Sequence, residues 1–462
     1  MNIISRRDFI QRAAMAGAGI ALSSSLFGKE GPKIDKNWVS PHKNLVDPSK
    51  RVRLAVIGCG SQGMVDADQM ASVADFTAFA DVDFDRAAAR FLRNPDVPRY
   101  RDYRKMLDEQ GDNIDAVLIA TPDHMHYPAA VLAMSMGKHV YVEKPATHTI
   151  GEARALKALA KKTGLVTQMG NHGHAYNGCR MLREWIESGE IGDITEVHVW
   201  TNRPVWPQGV PEPDPSAKFE VPASLDWNLW LGVSPVVGYN PDYVPFDWRG
   251  MWDWGTGAVG DMACHMMDPI FTSIDLRGNV KVSSESEGAN SFSCPRKARV
   301  KYEFPKTATR PKPITFYWYE GNWKPDYKDL PSEYFKSQKD VPHTGMLYIG
   351  TKGAIMDTDD YGTQPRLLPK ERNDEFMKRR PPAKYARVPD QNARREFIRA
   401  CQGGPTPGSN FAEHSMDLTQ LGLLGVLSLR LGNKSFEWDD KKGVCVGLPE
   451  ADKFIHKQYR MF

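Results

Sequence analysis

The chain has 462 residues, 41% hydrophobic and 25% charged, with a formal net charge of +3. That is ordinary for a soluble globular protein long enough for two domains, and no basic block is long enough to serve nucleic acid or an acidic membrane surface. Six scattered cysteines with no Cys-x-x-Cys pair argue against a zinc knuckle or a disulfide framework.

Residues 1–28 pair Arg6 and Arg7 ahead of Phe9 and a mild Gly/Ala-rich apolar run. This resembles a twin-arginine export signal, so a periplasmic protein is expected. The run is too short for a good membrane span, and no stable membrane insertion is expected. Residues 29–50 are polar, Pro-containing and aperiodic, as in a linker.

From residue 51 short apolar strands alternate with helical stretches. Strands are expected at Arg53–Ile57, Phe76–Ala80, Ala116–Ala120, His139–Val142 and Val166–Met169. Helices are expected at Gly63–Val73, Tyr127–Met136 and Ile150–Lys162, the last behind the capping-box spacing Thr149-x-x-Glu152. The alternation predicts a doubly wound parallel sheet of Rossmann type over 51–172. Beyond it, strands without intervening helices predict an α+β domain over 173–462 with a large open, mostly antiparallel sheet. Residues 366–394 read as a charged surface loop, and helices close the chain at Asn392–Gly403 and Glu413–Leu431.

Gly58-x-Gly60-x-x-Gly63 follows the first strand and opens a helix, with Ser61 and Gln62 completing the turn. That pattern lets a pyrophosphate approach the backbone at a helix N-terminus. Asp81, at the end of the next strand, has the position of the acid that binds a ribose 2′-hydroxyl. With Asp83 it would repel a 2′-phosphate, so NAD is expected over NADP. Thr121 and Pro122 end a later strand, with His124 and His126 beside them. No further ligand lies near these histidines in sequence, and no metal is expected. Glu143, Lys144 and Pro145 end another strand, where a lysine can hold developing alkoxide charge. Asp261 and His265 stand one helical turn apart, a spacing that lets a carboxylate orient an imidazole base.

"GCGSQG", "TPDHMHYPAA", "GKHVYVEKPATHT" and "GDMACHMMD" together resemble the Gfo/Idh/MocA oxidoreductases, in order and at fitting intervals. The resemblance covers nearly all the chain after the linker. It implies Lys144, Asp261 and His265 as the catalytic group, while the strand-end positions of Glu143, Lys144 and His126 place them at the cofactor. It also implies a homo-oligomer, dimer or tetramer, formed through the second sheet. Seven of the 12 tryptophans lie between residues 200 and 254, and flat rings with polar neighbours suit a carbohydrate substrate, two or three at most touching it. Arg203 and Trp206, with Asn171, His172 and His174 at the domain junction, are further expected substrate contacts.

The expected activity is NAD-dependent oxidation or reduction of a sugar, glycoside or polyol hydroxyl carbon. Alternatives are a glycoside hydrolase using transient oxidation, whose branch of the family lacks the lysine, and a non-catalytic sugar sensor. Because free NAD is scarce outside the cytoplasm, a retained cofactor is expected. If the arginine pair is the export signal, Arg6→Lys/Arg7→Lys protein stays in the cytoplasmic fraction while wild type leaves it. Unchanged export of the double variant would remove that reading.

Overall fold

The structure, a computed structural model, describes residues 44–462 except Pro381. The expected signal segment, residues 1–28, and residues 29–43 of the expected linker lie outside the described residues.

The first domain runs β1 (Val52–Ile57), α1 (Ser61–Met70), β2 (Ala74–Ala80), α2 (Phe84–Arg93), β3 (Arg99–Tyr100), α3 (Tyr103–Gln110), β4 (Ala116–Ile119), α4 (Asp123–Ser135), β5 (His139–Val142), α5 (Ile150–Thr163) and β6 (Thr167–Met169). Its six strands lie in the order β3-β2-β1-β4-β5-β6, all parallel. The order reverses beside β1, so ligands belong at the carboxyl ends of β1 and β4. The central strands β4 and β5 are buried along their whole length, as two helix-covered faces require. The expected capping box forms: Thr149 accepts from the Glu152 amide while the Glu152 side chain accepts from the Thr149 amide.

The second domain runs α6 (Asn177–Glu187), β7 (Ile194–Trp200), α7 (Trp227–Leu231), α8 (Gly257–Met266), α9 (Asp268–Ser273), β8 (Val280–Glu287), β9 (Lys297–Phe304), β10 (Ile314–Glu320), β11 (Gly345–Gly350), β12 (Gly353–Asp357), β13 (Arg366–Leu368), α10 (Lys370–Arg379), α11 (Ala393–Cys401), α12 (Met416–Arg430), β14 (Phe436–Asp439) and β15 (Val444–Cys445). Its nine strands take the order β13-β12-β11-β7-β10-β9-β8-β14-β15, antiparallel except where β10 meets β7. One face buries α8 and α12 in the main core, through residues such as Val259, Met262, Leu421 and Leu424. The other face is only partly open. Leu330, Phe335 and Val341 pack on Trp200, Tyr319 and Leu347, covering β7, β10 and β11. Across β8 and β9 the uncovered face alternates charge in register: Lys281 opposes Glu303, Glu285 opposes Arg299 and Glu287 opposes Lys297.

Two expectations need correction. Residues 366–394 are not a plain loop, since they contain β13 and α10. The only buried side chain of α10 is Phe376, set edge-on to Trp185 at 5.1 Å. Ion pairs from Lys370 to Asp374 and Lys378 to Glu375 lie along the helix. One buried residue in ten leaves no apolar period to read. Second, α11 returns to the first domain: Phe397, Ile398 and Cys401 complete the core formed by Val52, Leu54 and Phe79.

Phe397→Ala should therefore cost about 3–5 kcal/mol and lower amide protection in β1 and β2. Hydrogen exchange resolved by segment checks this, and a loss confined to the second sheet would detach α11 from the first core.

Candidate functional site

At the first βα turn Gly58 has φ +85°, and a Cβ there would meet the Ala120 carbonyl oxygen at 2.6 Å. A Cβ on Gly63 would come within 1.9 Å of the Gly58 oxygen, so only glycine closes helix on strand. Gly60 caps α1 without a side-chain bond, and the first turn carries no acid. The amides of that turn face the cleft with the positive end of the helix dipole. Asp81 accepts from the Cys59 amide at 2.7 Å and the Asp83 amide at 3.0 Å. It shapes the turn as well as lining the cavity, and burial raises its pKa. At the rim Arg86 donates to the Ser61 hydroxyl. Gln62, Thr121, Pro122, His126, Glu143 and Lys144 continue the lining. His126 lies 2.7 Å from both the Thr121 and Pro145 carbonyl oxygens, tying two strand-end turns together. Thr121 Oγ1 and Glu143 Oε1 are buried without hydrogen-bond partners. Burial and the nearby Asp66 carboxylate push Glu143 well up, favouring its uncharged form. A glycine-only turn, open helix amides, an acid at the end of β2 and two orphaned polar atoms on one cavity fit a dinucleotide.

At the far end of the cavity Lys144 Nζ donates to Asp261 Oδ1 at 2.8 Å, joining the end of β5 to α8 across the domain junction. Burial opposes the ammonium, but the charge and hydrogen bond of Asp261 outweigh it and raise the lysine pKa. Arg249 adds a second cation 3.9 Å from Asp261 Oδ1, its guanidinium 4.4 Å from the centres of the Phe246 and Trp248 rings. Asp123, which accepts from the Thr256 hydroxyl, is pushed up to about 7 by burial, the Asp261 charge adding to the rise. His265 follows Asp261 by one turn, with its ring 5.1 Å from those of His172 and Tyr361. Its Nδ1 is buried without a partner, and burial, with the Lys144 charge, holds its pKa well below the ordinary value.

Several expected roles change here. Asp261 does not orient His265: its carboxylate is taken by the Lys144 ammonium, a stronger partner than a neutral imidazole. Asn171 and His174 are not free for substrate. Both bond to Asp268, buried at the α8–α9 junction, which also accepts from His414 and Thr272. Burial opposes the charged carboxylate, but His174 and His414, through charge and hydrogen bonds, outweigh it and hold the Asp268 pKa well below the usual carboxylate range. Trp206 is buried with its Nε1 on Gln208, and Arg203 turns to Asn202 and Asp360; neither lines the nucleotide cavity. His124 packs against the Trp230 carbonyl, away from the cavity lining. His172 remains beside His265. Trp230 and Trp248 are the two tryptophans of the rich segment that line this cavity.

Arg249, Asp123 and Tyr361 escaped the sequence reading. Tyr361 sits in "DTDDYGTQ", where Asp359 accepts from the Tyr361 and Thr363 amides, a turn signature that names no target. The position of Asp123 as the first residue of α4, inside "TPDHMH", was the available signal for that residue.

A parallel sheet with a dinucleotide turn, facing a lysine–aspartate pair and a buried imidazole, defines a two-domain nucleotide-dependent oxidoreductase. Residues 52–171 match the oxidoreductase family with the NAD-binding Rossmann fold, and residues 192–308 match that family's C-terminal alpha/beta domain. The chain belongs to the Gfo/Idh/MocA oxidoreductases, and its nucleotide is NAD. A glycosyl hydrolase family 109 protein of Saccharopolyspora erythraea is 30% identical over 205 residues, 42% of this chain and 44% of that protein. A dTDP-3,4-didehydro-2,6-dideoxy-alpha-D-glucose 3-reductase of Saccharopolyspora spinosa is 30% identical over 241 residues, 51% of this chain and 66% of that one. The first of these matches thus spans less than half the relative's length. The WlbA dehydrogenase of Chromobacterium violaceum, solved with NADH and UDP-GlcNAcA, superposes with TM-score 0.58 at 16% identity, covering 86% of this chain and 96% of that one. Levoglucosan dehydrogenase, solved with NADH and levoglucosan, gives 0.55 at 16% identity, covering 84% and 99%. These likenesses concern the fold.

If His265 works as the neutral base, its depressed pKa sets the acid limb of kcat/KM below 6.5, because protonation is deferred to lower pH. Measuring the profile in Asp123→Asn as well as wild type separates this limb from the Asp123 titration near 7. A limb at or above 6.5 that survives in Asp123→Asn would mean the working base is not this depressed imidazole.

Proposed function

We propose that this protein is an exported NAD-dependent dehydrogenase acting on a hydroxyl carbon of a sugar, glycoside or polyol. The observation that carries the reading is the Lys144–Asp261 pair on the nucleotide cavity, with His265 one turn further along the same helix. Bound NAD supplies a hydride acceptor there. Lys144, kept charged by Asp261, donates to the substrate oxygen and holds negative charge as it develops. His265, kept neutral by burial, removes the hydroxyl proton. Asp261 acts on the lysine, fixing its ammonium at the cavity. Trp248 and Trp230 offer apolar faces beside these polar groups, an arrangement suited to a sugar ring.

The sugar ligands of solved relatives, UDP-GlcNAcA and levoglucosan, support a carbohydrate substrate. Likeness to a family 109 glycosyl hydrolase supports a second reading, in which oxidation is transient and a glycosidic bond is cleaved. Among the described residues no helix is long and apolar enough to cross a membrane. Assembly as a homo-oligomer through the second sheet would be confined to the uncovered face of β8 and β9.

The test is turnover beside NAD content in a glycoside screen. His265→Ala should lose about 10²–10⁴-fold in rate and Lys144→Ala a similar order, both keeping NAD because the Gly58–Gly63 turn is untouched. Near-normal turnover in His265→Ala would remove it from the mechanism. Cleavage with no reduced nicotinamide at any stage would remove both redox readings.

A further inference from the structure

We propose that His174, Cys179, Asp268 and His414 form a buried site for a structural zinc ion, behind the helix that carries His265. The site is separate from the nucleotide cavity and independent of the reaction proposed above. His124 and His126, the pair that a linear metal motif would suggest, are turned instead to the carbonyl oxygens of Trp230, Thr121 and Pro145.

Four elements each supply one group. His174 stands in the short turn His172–Ala175 after β6, Cys179 in the first turn of α6, and Asp268 opens α9. His414 lies in Phe411–Ser415, a π-helical turn leading into α12. Such turns are rare and gather at functional sites. One ligand atom each from His174, Cys179 and Asp268 lies within 4.8 Å of the others. His414 Nε2 comes 2.6 Å from Asp268 Oδ1, and the two imidazole centroids are 4.5 Å apart. All four side chains are buried, Cys179 and Asp268 with 1% exposure each.

Two imidazoles, a thiol and a carboxylate suit a borderline-soft ion such as zinc, whereas magnesium and calcium take oxygen ligands. Tetrahedral zinc holds nitrogen and oxygen at about 2.0–2.1 Å and sulfur at about 2.3 Å, which spaces its ligand atoms about 3.3–3.8 Å apart. Shifts of about 1 Å or less bring the present distances to that spacing. Hydrogen bonding to Asp268 accounts for the direction of both imidazoles, and the thiol beside them completes the ligand set. On binding, Cys179 releases its proton, so thiolate and carboxylate together cancel the charge of the ion. Each imidazole ligates through the nitrogen now turned to Asp268 and carries its proton on the other. For His174 that other nitrogen is Nε2, which has room because residue 408 is glycine: a Cβ there would lie 2.4 Å from it.

An outer layer already holds the carboxylate in place: Asn171 and Thr272 donate to Asp268, and Ser409 donates to Asn171 Oδ1. Such partners orient a metal's ligands and strengthen its binding. A cavity of about 500 Å³, lined in part by His174, Gly408 and His414, gives an ion a way in. The ligands are spread from residue 174 to residue 414, so no linear motif announces them. An ion here would clamp the turn after β6, α6, α9 and the start of α12 together.

The untagged full chain, kept reduced, is dialysed against metal-free buffer and then given zinc or cobalt(II). Zinc-loaded protein should retain about one ion per chain by elemental analysis, and its unfolding midpoint should rise above that of the metal-free protein. Cobalt-loaded protein should show a thiolate-to-cobalt charge-transfer band beside the intense visible bands of tetrahedral coordination. Cys179→Ser should lose the charge-transfer band, and His414→Gln should weaken metal binding at least about 100-fold, each variant still holding NAD as a check on folding. Wild type that retains neither ion would overturn the site, with no variant needed. Cobalt bound without a charge-transfer band, or a band that survives in Cys179→Ser, would overturn it equally.

Discussion

The Lys144–Asp261 ion pair is the contact on which the site depends. It ties the end of β5 in the nucleotide domain to the helix carrying His265. A partly buried lysine and aspartate must find each other or lose the solvation each gave up. Meeting at 2.8 Å, they fix how far α8 can stand from β5, and so where the imidazole hangs relative to the cavity. Glu143 next to the lysine is kept from competing by its own burial, which disfavours a second negative charge there.

Behind α8 a second anchor works from the opposite side. Asp268 collects Asn171, His174, His414 and Thr272 on one buried carboxylate, pinning the loop after β6 to the α8–α9 junction. His172 lies between two of those ligands in sequence, so its place against His265 follows from bonds its neighbours make. The helix is thus fixed by two acids, one facing each domain.

The first domain was legible because its rules are local. Buried strands, a glycine turn and a capping box are each written within a dozen residues, and the observed β5 and α5 start where the sequence puts them. The site was legible as a roster but not as a wiring diagram. Asp261 and His265 share a helix face in sequence, and only the fold shows that a lysine 117 residues earlier captures the carboxylate. The same holds for His174, which a strand-end motif places near substrate until Asp268 claims it. Helix α10 was hidden for a different reason: a polar helix anchored by Phe376 alone has no amphipathic stripe to detect.

The charge ladder on β8 and β9 bears on how this molecule meets others. Its lysines, arginines and glutamates already neutralise one another across the strands, with Arg299 to Glu285 at 2.8 Å and Lys297 to Glu287 at 3.2 Å. Such a face projects almost no net field, and what remains fades within about 8 Å at physiological ionic strength. A second copy would therefore reach it by plain diffusion, without electrostatic guidance. To seal the contact it would have to strip water from pairs that each return little attraction. The uncovered sheet is shielded from casual self-association by carrying its own counter-ions.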